Sequence, residues 1–216
     1  MTTSNVEQTS TIRRVGIPVG LVIVLVAAMI WDTTFLDPDA ATAAGTADFS
    51  PEEFAVAMFP QLTELYVETA VDVADVGAAL REDPEIAAEQ LGVDLGSGRY
   101  GFSLEAQGEA VEVDEGFITI AVEEDPALVV RVPLTTAING SPIRDASGTI
   151  AFGDFRDQTE YQEVANQFRQ IMLRDVIEPL DLGAIEGQQV RVVGAWLQGG
   201  PPDTFLIQPV LIEVEL

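Results

Sequence analysis

From Val15 to Trp31 the chain reads VGIPVGLVIVLVAAMIW, seventeen residues without a charge. That length is the short end of what crosses a bilayer as a helix. The Arg13-Arg14 pair before it predicts an N-terminus on the cytoplasmic side, and Trp31 falls where interfacial aromatics gather. The pattern predicts a cytoplasmic tail over 1–14, a transmembrane anchor over 15–31, a small, polar and acidic linker over 32–48 and an extracytoplasmic domain over 49–216. A cleavable signal peptide shares the apolar-after-basic pattern. Its candidate cut site, ATAAGTA at 41–47, starts about ten residues past the apolar run, beyond Asp32, Asp37 and Asp39, which is too far for an ordinary cleavage site. Both readings put residues 32–216 outside the cytoplasm.

Beyond the linker the period is helical. Ser50-Pro51-Glu52-Glu53 combines a capping serine, proline at the first helical position and glutamate three residues after the cap. Phe54, Met58, Leu62, Leu65 and Tyr66 follow at helical spacing, with Pro60 expected to kink or split the helix. VDVADVGAALREDPEIAAEQLG predicts two short helices broken at Asp83-Pro84 and stopped at Gly92, so residues 49–92 form a helical part.

From Arg99 the period falls to two. RYGFSLEAQ, GEAVEVDEG, FITIAVEE and ALVVRVPL predict short strands separated by Gly, Asp-Glu and Asp-Pro turn signals, and GTIAFGDF at 148–155 predicts another. Asp157-Gln158-Thr159-Glu160 then opens a helix to about Glu178, with Tyr161, Val164, Phe168, Ile171, Met172 and Val176 on one apolar stripe. Strand character returns in QQVRVVGAWL, with Val190, Val192 and Ala195 read as one alternating face, and in TFLIQPVLIEVEL after a GGPPD turn. Trp196 on such a strand reads as core ahead of a sugar-stacking surface.

Strands, one helix and a closing hairpin predict an α+β, mainly β fold. The expected architecture is an oligonucleotide-binding-like barrel (OB-like), closed or partly open, over 99–216, with a helix between strands 3 and 4 that plugs one end. Such a likeness carries no function with it.

Charge and composition narrow the function. Thirty-six acids stand against ten bases, all of them Arg, for a formal net charge of −26. That surface repels phosphate backbones, so no nucleic-acid partner is expected. The acids are spread along the chain, as a solvated coat would be. The absence of Cys means no disulfide and no lipid-attachment cysteine. The absence of both His and Cys excludes a Ser-His-Asp triad, a thiol nucleophile and His- or Cys-ligated zinc or copper. Neither a catalytic residue, a metal site nor a cofactor is predicted, and the chain is not expected to be an enzyme. Enzymes built from carboxylates alone exist, so catalysis is left with fewer tools and is not excluded.

The stretch NGSPIRDASGTIAFGDFRDQTEY at 139–161 concentrates charge, with Arg144 and Arg156 among acids. Asn139-Gly140-Ser141-Pro142 predicts a turn and IRDASG a loop at a strand mouth, while a helix N-terminus attracts Asp154 and Asp157. Two readings fit these residues. In one, caps and a salt bridge from Arg144 to those acids brace a strand-to-helix corner. In the other, Arg144, Asp145, Asp154, Gln158 and Tyr161 hold a small polar ligand.

The same stretch, S-P-I-R-D-A-S-G-T-I-A-F-G-D-F-R-D-Q-T-E-Y, together with I-E-G-Q-Q-V-R-V-V-G-A-W and L-I-Q-P-V-L-I-E-V, resembles the bacterial family of predicted periplasmic lipoproteins, domain of unknown function 2291. The likeness runs from about residue 30 to the end and is most specific at Arg144-Asp145-Ala146, Phe152-Gly153-Asp154-Phe155 and Gln158 to Tyr161. It implies an extracytoplasmic barrel with no established activity, often encoded beside sugar ABC transporters. Two departures stand out: the lipidated cysteine is absent, and Asp157 occupies a position expected to be Asn. The resulting expectation is an accessory or binding protein held in the cytoplasmic membrane by residues 15–31, partnered with sugar ABC transporter components. The alternatives are an assembly protein docking on another envelope protein without a small ligand, and a carboxylate-based hydrolase.

Overall fold

The computed structural model describes residues 49–137, 140–201 and 203–215; the expected tail, anchor and linker over 1–48 lie outside the described residues. No helix among the described residues is long and apolar enough to cross a membrane.

Helix α1 (Pro51–Thr69) starts as its sequence dictates, with the Ser50 side chain accepting from the Glu53 N–H at 3.2 Å. It is not split at Pro60. The carbonyl deprived of a donor there belongs to Val56, which is exposed, so the loss is made where solvent can compensate it. The fully buried stripe is Ala55, Phe59, Leu62 and Tyr66, with Phe54, Met58 and Leu65 flanking it. Strand β1 (Val71–Asp72) leads into α2 (Val73–Glu82) and α3 (Pro84–Leu91), the break falling at Asp83, whose carboxylate caps α3. Strand β2 (Val93–Asp94) follows, and β1 and β2 both pair with β3 (Tyr100–Val113).

β3 absorbs two of the expected strands. The glycine between them, Gly108, is not a turn but a point of close approach, where a Cβ would lie 2.0 Å from the Ala121 carbonyl oxygen. β4 (Phe117–Val122), β5 (Val129–Pro133), β6 (Gln189–Leu197), β7 (Thr204–Leu206) and β8 (Gln208–Glu215) complete a curled sheet in the order β7-β5-β4-β3-β6-β8. β7 pairs parallel to β5 and β8 antiparallel to β6, and only Ile207 separates them, so one continuous segment joins the two edges. Gly194 of β6 lies closely against this segment: its Cβ would sit 2.2 Å from the Gln208 carbonyl oxygen, beside a shift in the β6–β8 register.

Even-numbered β6 residues Val190, Val192 and Trp196 point into the barrel with Phe102, Leu104, Ile118 and Ile120. Trp196 is core, packed between Phe102 and Phe205. Ala195 falls on the opposite face from Val190 and Val192, and with Val193 it meets a second apolar layer under the helices, because β6 is buried on both sides.

That layer is formed by α1 and by the helix α5 (Gln158–Ile171), which lies between β5 and β6 as expected. α5 continues as a π turn over Met172–Ile177, closed by Glu178 N–H donating to the Leu173 carbonyl at 2.8 Å. The body of α5 does not plug the barrel. Its stripe of Val164, Phe168, Ile171 and Met172 packs outside, and only Leu173 and Ile177 of the π turn join the barrel interior.

The strand expected at 148–155 is absent. Residues 149–151 are irregular and Phe152–Asp154 is a single 3-10 turn. Its apolar residues pack as side chains without alternating, Ile150 being buried, Phe152 exposed and Phe155 half-buried. The Phe155 ring centroid lies 5.6 and 5.5 Å from those of Phe49 and Phe54, and the Phe152 and Phe155 centroids each lie 5.5 Å from that of Tyr161.

Candidate functional site

Ser141-Pro142-Ile143-Arg144-Asp145 is not an exposed loop but a four-residue helix, α4 (Pro142–Asp145). Proline at its first position suits a helix start, and the N–H groups of Asp145 and Ala146 return to the carbonyls of Ser141 and Pro142 at 2.9 and 2.8 Å. Ile143 is buried in the helical layer, and the Tyr66 hydroxyl donates to the Ile143 carbonyl at 2.9 Å. Burial, and then the Asp145 charge, raises the Tyr66 phenol well above its ordinary pKa.

This anchoring buries Arg144, whose side chain is only 4% exposed. Its Nε donates to Asp145 Oδ1 at 2.7 Å and its Nη1 to the Tyr161 backbone carbonyl at 2.6 Å. The guanidinium carbon lies 3.4 Å from the Tyr161 ring centroid. The Tyr161 hydroxyl reaches Asp145 Oδ1 at 3.3 Å, and burial followed by the Asp145 charge raises its pKa. Arg144, Asp145 and Tyr161 thus form one clamp between α4 and α5.

The expected bracing of a strand-to-helix corner is corrected in its partners. Arg144 pairs with its own neighbour, while the acids near the start of α5 serve local backbone. Asp154 Oδ2 accepts from the Ala151 N–H at 2.9 Å, and Asp157 Oδ1 caps α5 through Thr159 and Glu160 N–H at 2.9 and 3.0 Å. The Glu160 N–H, first among its hydrogen bonds, holds the Asp157 carboxyl below its ordinary pKa. Arg156, 77% exposed, pairs with Asp157 and Glu160 on the surface and takes no part in the clamp.

The clamp forms one wall of an open cavity of about 850 Å³. Arg144, Asp145, Gln158 and Tyr161 all line it; Asp154 does not. The β2 segment, Arg99 and Leu197 supply the facing side, because β3 and β6 pair Gly101 opposite Leu197 and so bring the start of one strand to the end of the other. Sequence reasoning missed Arg99, Arg169, Gln162 and Asp94. Arg169 and Gln162 had a signal: eleven and four residues beyond Gln158, they share its side of α5. Arg99 had none, since its place depends on a long-range strand register.

Two comparisons place this geometry among known proteins. A crystal structure described as an OB-fold protein from Thermotoga maritima superposes with a TM-score of 0.66 and 21% identity, covering 77% of this chain and 99% of that one. At that identity the likeness establishes the OB-type architecture and nothing of function. Comparison with curated proteins finds no match. The model of the predicted periplasmic lipoprotein family (DUF2291) matches residues 21–213, a span that includes the whole cavity wall, and the chain belongs to that family.

Proposed function

We propose that the protein is an extracytoplasmic binding protein, held in the cytoplasmic membrane by residues 15–31, that takes a small polar ligand into the cavity beside α4 and works with a sugar ABC-type uptake system. The observation that carries the ligand is the convergence of Arg144, Asp145, Gln158 and Tyr161 on one polar cavity of about 850 Å³. That volume lies in the range of small-molecule sites, and a few convergent polar groups on rigid elements are what such a site requires. The periplasmic character of the family supports the compartment. With no cysteine to carry a lipid, the apolar run over 15–31 is the part of the chain suited to the bilayer.

A thermal-shift screen of the protein against pentoses, hexoses, sugar alcohols and calcium tests the ligand. A true ligand raises the melting temperature saturably, following RT ln(1 + [L]/Kd). No shift with any compound, together with co-purification of an envelope protein, would favour docking without a small ligand. Fractionation tests the anchor: release by osmotic shock of a chain starting beyond residue 40 would refute it.

A further inference from the structure

Between residues 49 and 216 eight arginines stand against thirty-one carboxylates, so each guanidinium has nearly four acids available. Six of the eight take one: Arg81, Arg131, Arg144, Arg156, Arg174 and Arg191 are all in salt bridges. Among the described residues Arg99 and Arg169 are in none, and both line the cavity of the clamp. Arg169 is half-buried, its Nη1 donating to the Gly140 carbonyl at 2.7 Å and its Nη2 to Asn166 Oδ1. Burial, and then the charge of Arg144, lowers its pKa against the opposing field of Glu163, so two cations face the same space. Glu163 itself accepts from Asn166 and Gln167 at 3.1 Å. The two carboxylates on the cavity wall are engaged as well: Asp145 with Arg144 and Tyr161, and Asp94 with the Gly96 N–H at 2.7 Å.

A protein this acidic has no electrostatic reason to leave two guanidiniums without carboxylates at one place, unless the carboxylate comes from elsewhere. We infer that the cavity takes a small organic anion, whose carboxylate or phosphate group is held by Arg99 and Arg169, with Arg144 as the fixed cation behind them. This rests on the ligand-binding reading above and adds the ligand's charge. Guanidinium forks suit both oxyanions, bidentate and planar. The cavity exceeds a bare phosphate in size, and the Gln158 and Gln162 amides on the same wall offer donors and acceptors to a hydroxylated body.

The test uses the full chain in a non-ionic detergent, heated in chloride buffer with inorganic phosphate, gluconate or glucose at low millimolar concentration and matched ionic strength. Phosphate and gluconate should raise the melting temperature saturably above the chloride control. Arg99→Gln and Arg169→Gln should each weaken the apparent affinity about tenfold or more, as loss of a charge-assisted contact does. In chloride the melting temperature of Arg99→Gln should stay close to that of the parent, whereas that of Arg169→Gln should fall with the lost bonds to Gly140 and Asn166, so each variant's anion shift is read against its own chloride control. If a variant does not fold, the comparison of anions with chloride on the parent chain decides alone. No shift with either anion, or a shift that survives both substitutions, overturns the inference. If glucose shifts the parent and the anions do not, the ligand-binding reading stands and the anion falls. If nothing acts here or in the sugar screen, both fall.

Discussion

Arg144→Ala removes a guanidinium that is 4% exposed and engaged three ways, and what it leaves behind sets the loss. The Tyr161 carbonyl, already serving the helix, loses a charged donor at 2.6 Å, and a hydrogen bond to a charged group is worth about 1.5 to 3 kcal/mol. The Asp145 carboxylate keeps only the Tyr161 hydroxyl at 3.3 Å. Breaking one side of a fully buried pair costs about 3 to 5 kcal/mol. The figure is smaller here because water still reaches Asp145, 21% exposed. Lost contact with the Tyr161 ring contributes about 0.5 to 2 kcal/mol. These effects share one group and do not add, so we expect a net loss of about 3 to 4 kcal/mol. Urea unfolding followed by the fluorescence of Trp196, buried in the barrel, measures it as a shift of midpoint at constant slope. The cycle with Asp145→Asn isolates the pair, and the double variant should be less destabilised than the sum of the singles by at least about 1 kcal/mol. A single-variant loss below about 1 kcal/mol, the scale of an exposed pair, or strict additivity in the cycle, would refute the clamp.

Gly108→Ala should destabilise by about 1 to 3 kcal/mol or prevent folding, since its Cβ would meet the Ala121 carbonyl oxygen at 2.0 Å; Gly153→Ala, with nothing within 4 Å, is the matched control and should change the midpoint little. Salt should stabilise the protein, because a formal charge of −26 repels itself over a Debye length that shrinks from about 10 Å at 0.1 M to about 3 Å at 1 M; a melting temperature that falls between low salt and 1 M sodium chloride would contradict this. Acid should act with the opposite sign through particular carboxylates. Glu105, Asp125 and Asp175 are held below their ordinary pKa chiefly by Arg191, Arg81 and Arg174, and Asp114 by the Gly116 N–H. Ionised, they favour the fold, a contribution complete above the unfolded carboxylate values near pH 4 and lost as pH falls through the lower folded ones. With repulsion screened by 1 M salt, the melting temperature should therefore decline steadily below about pH 4; a flat profile there would mean these pairs contribute nothing.

Elements whose signals are local were legible. The Ser50 cap, the Asp83-Pro84 break, the α5 stripe and the closing strands all follow from spacing over a few residues, where backbone geometry alone sets the period. The GTIAFGDF segment misled because aromatic and β-branched residues serve packing onto a neighbouring helix as well as pairing in a sheet, and only the presence of a partner edge distinguishes the two. Gly108 misled in a similar way, since a glycine that ends a strand and one that admits a neighbouring backbone read alike.

At the site the division is sharper. The sequence by itself singled out Arg144, Asp145, Gln158 and Tyr161, which lie within eighteen residues of one another on α4 and α5. It also set the acidic charge against which an arginine without a carboxylate stands out. Only the tertiary structure decided that Arg144 is buried against Asp145 and not paired with the caps of α5, because that depends on Tyr66 and Ile143 seating α4 in the helical layer. It likewise decided that Arg99 and Arg169, seventy residues apart, share one cavity. Their meeting follows from the β3–β6 register and the docking of α5, and both are fixed by burial summed over the whole core, which no local run of residues encodes.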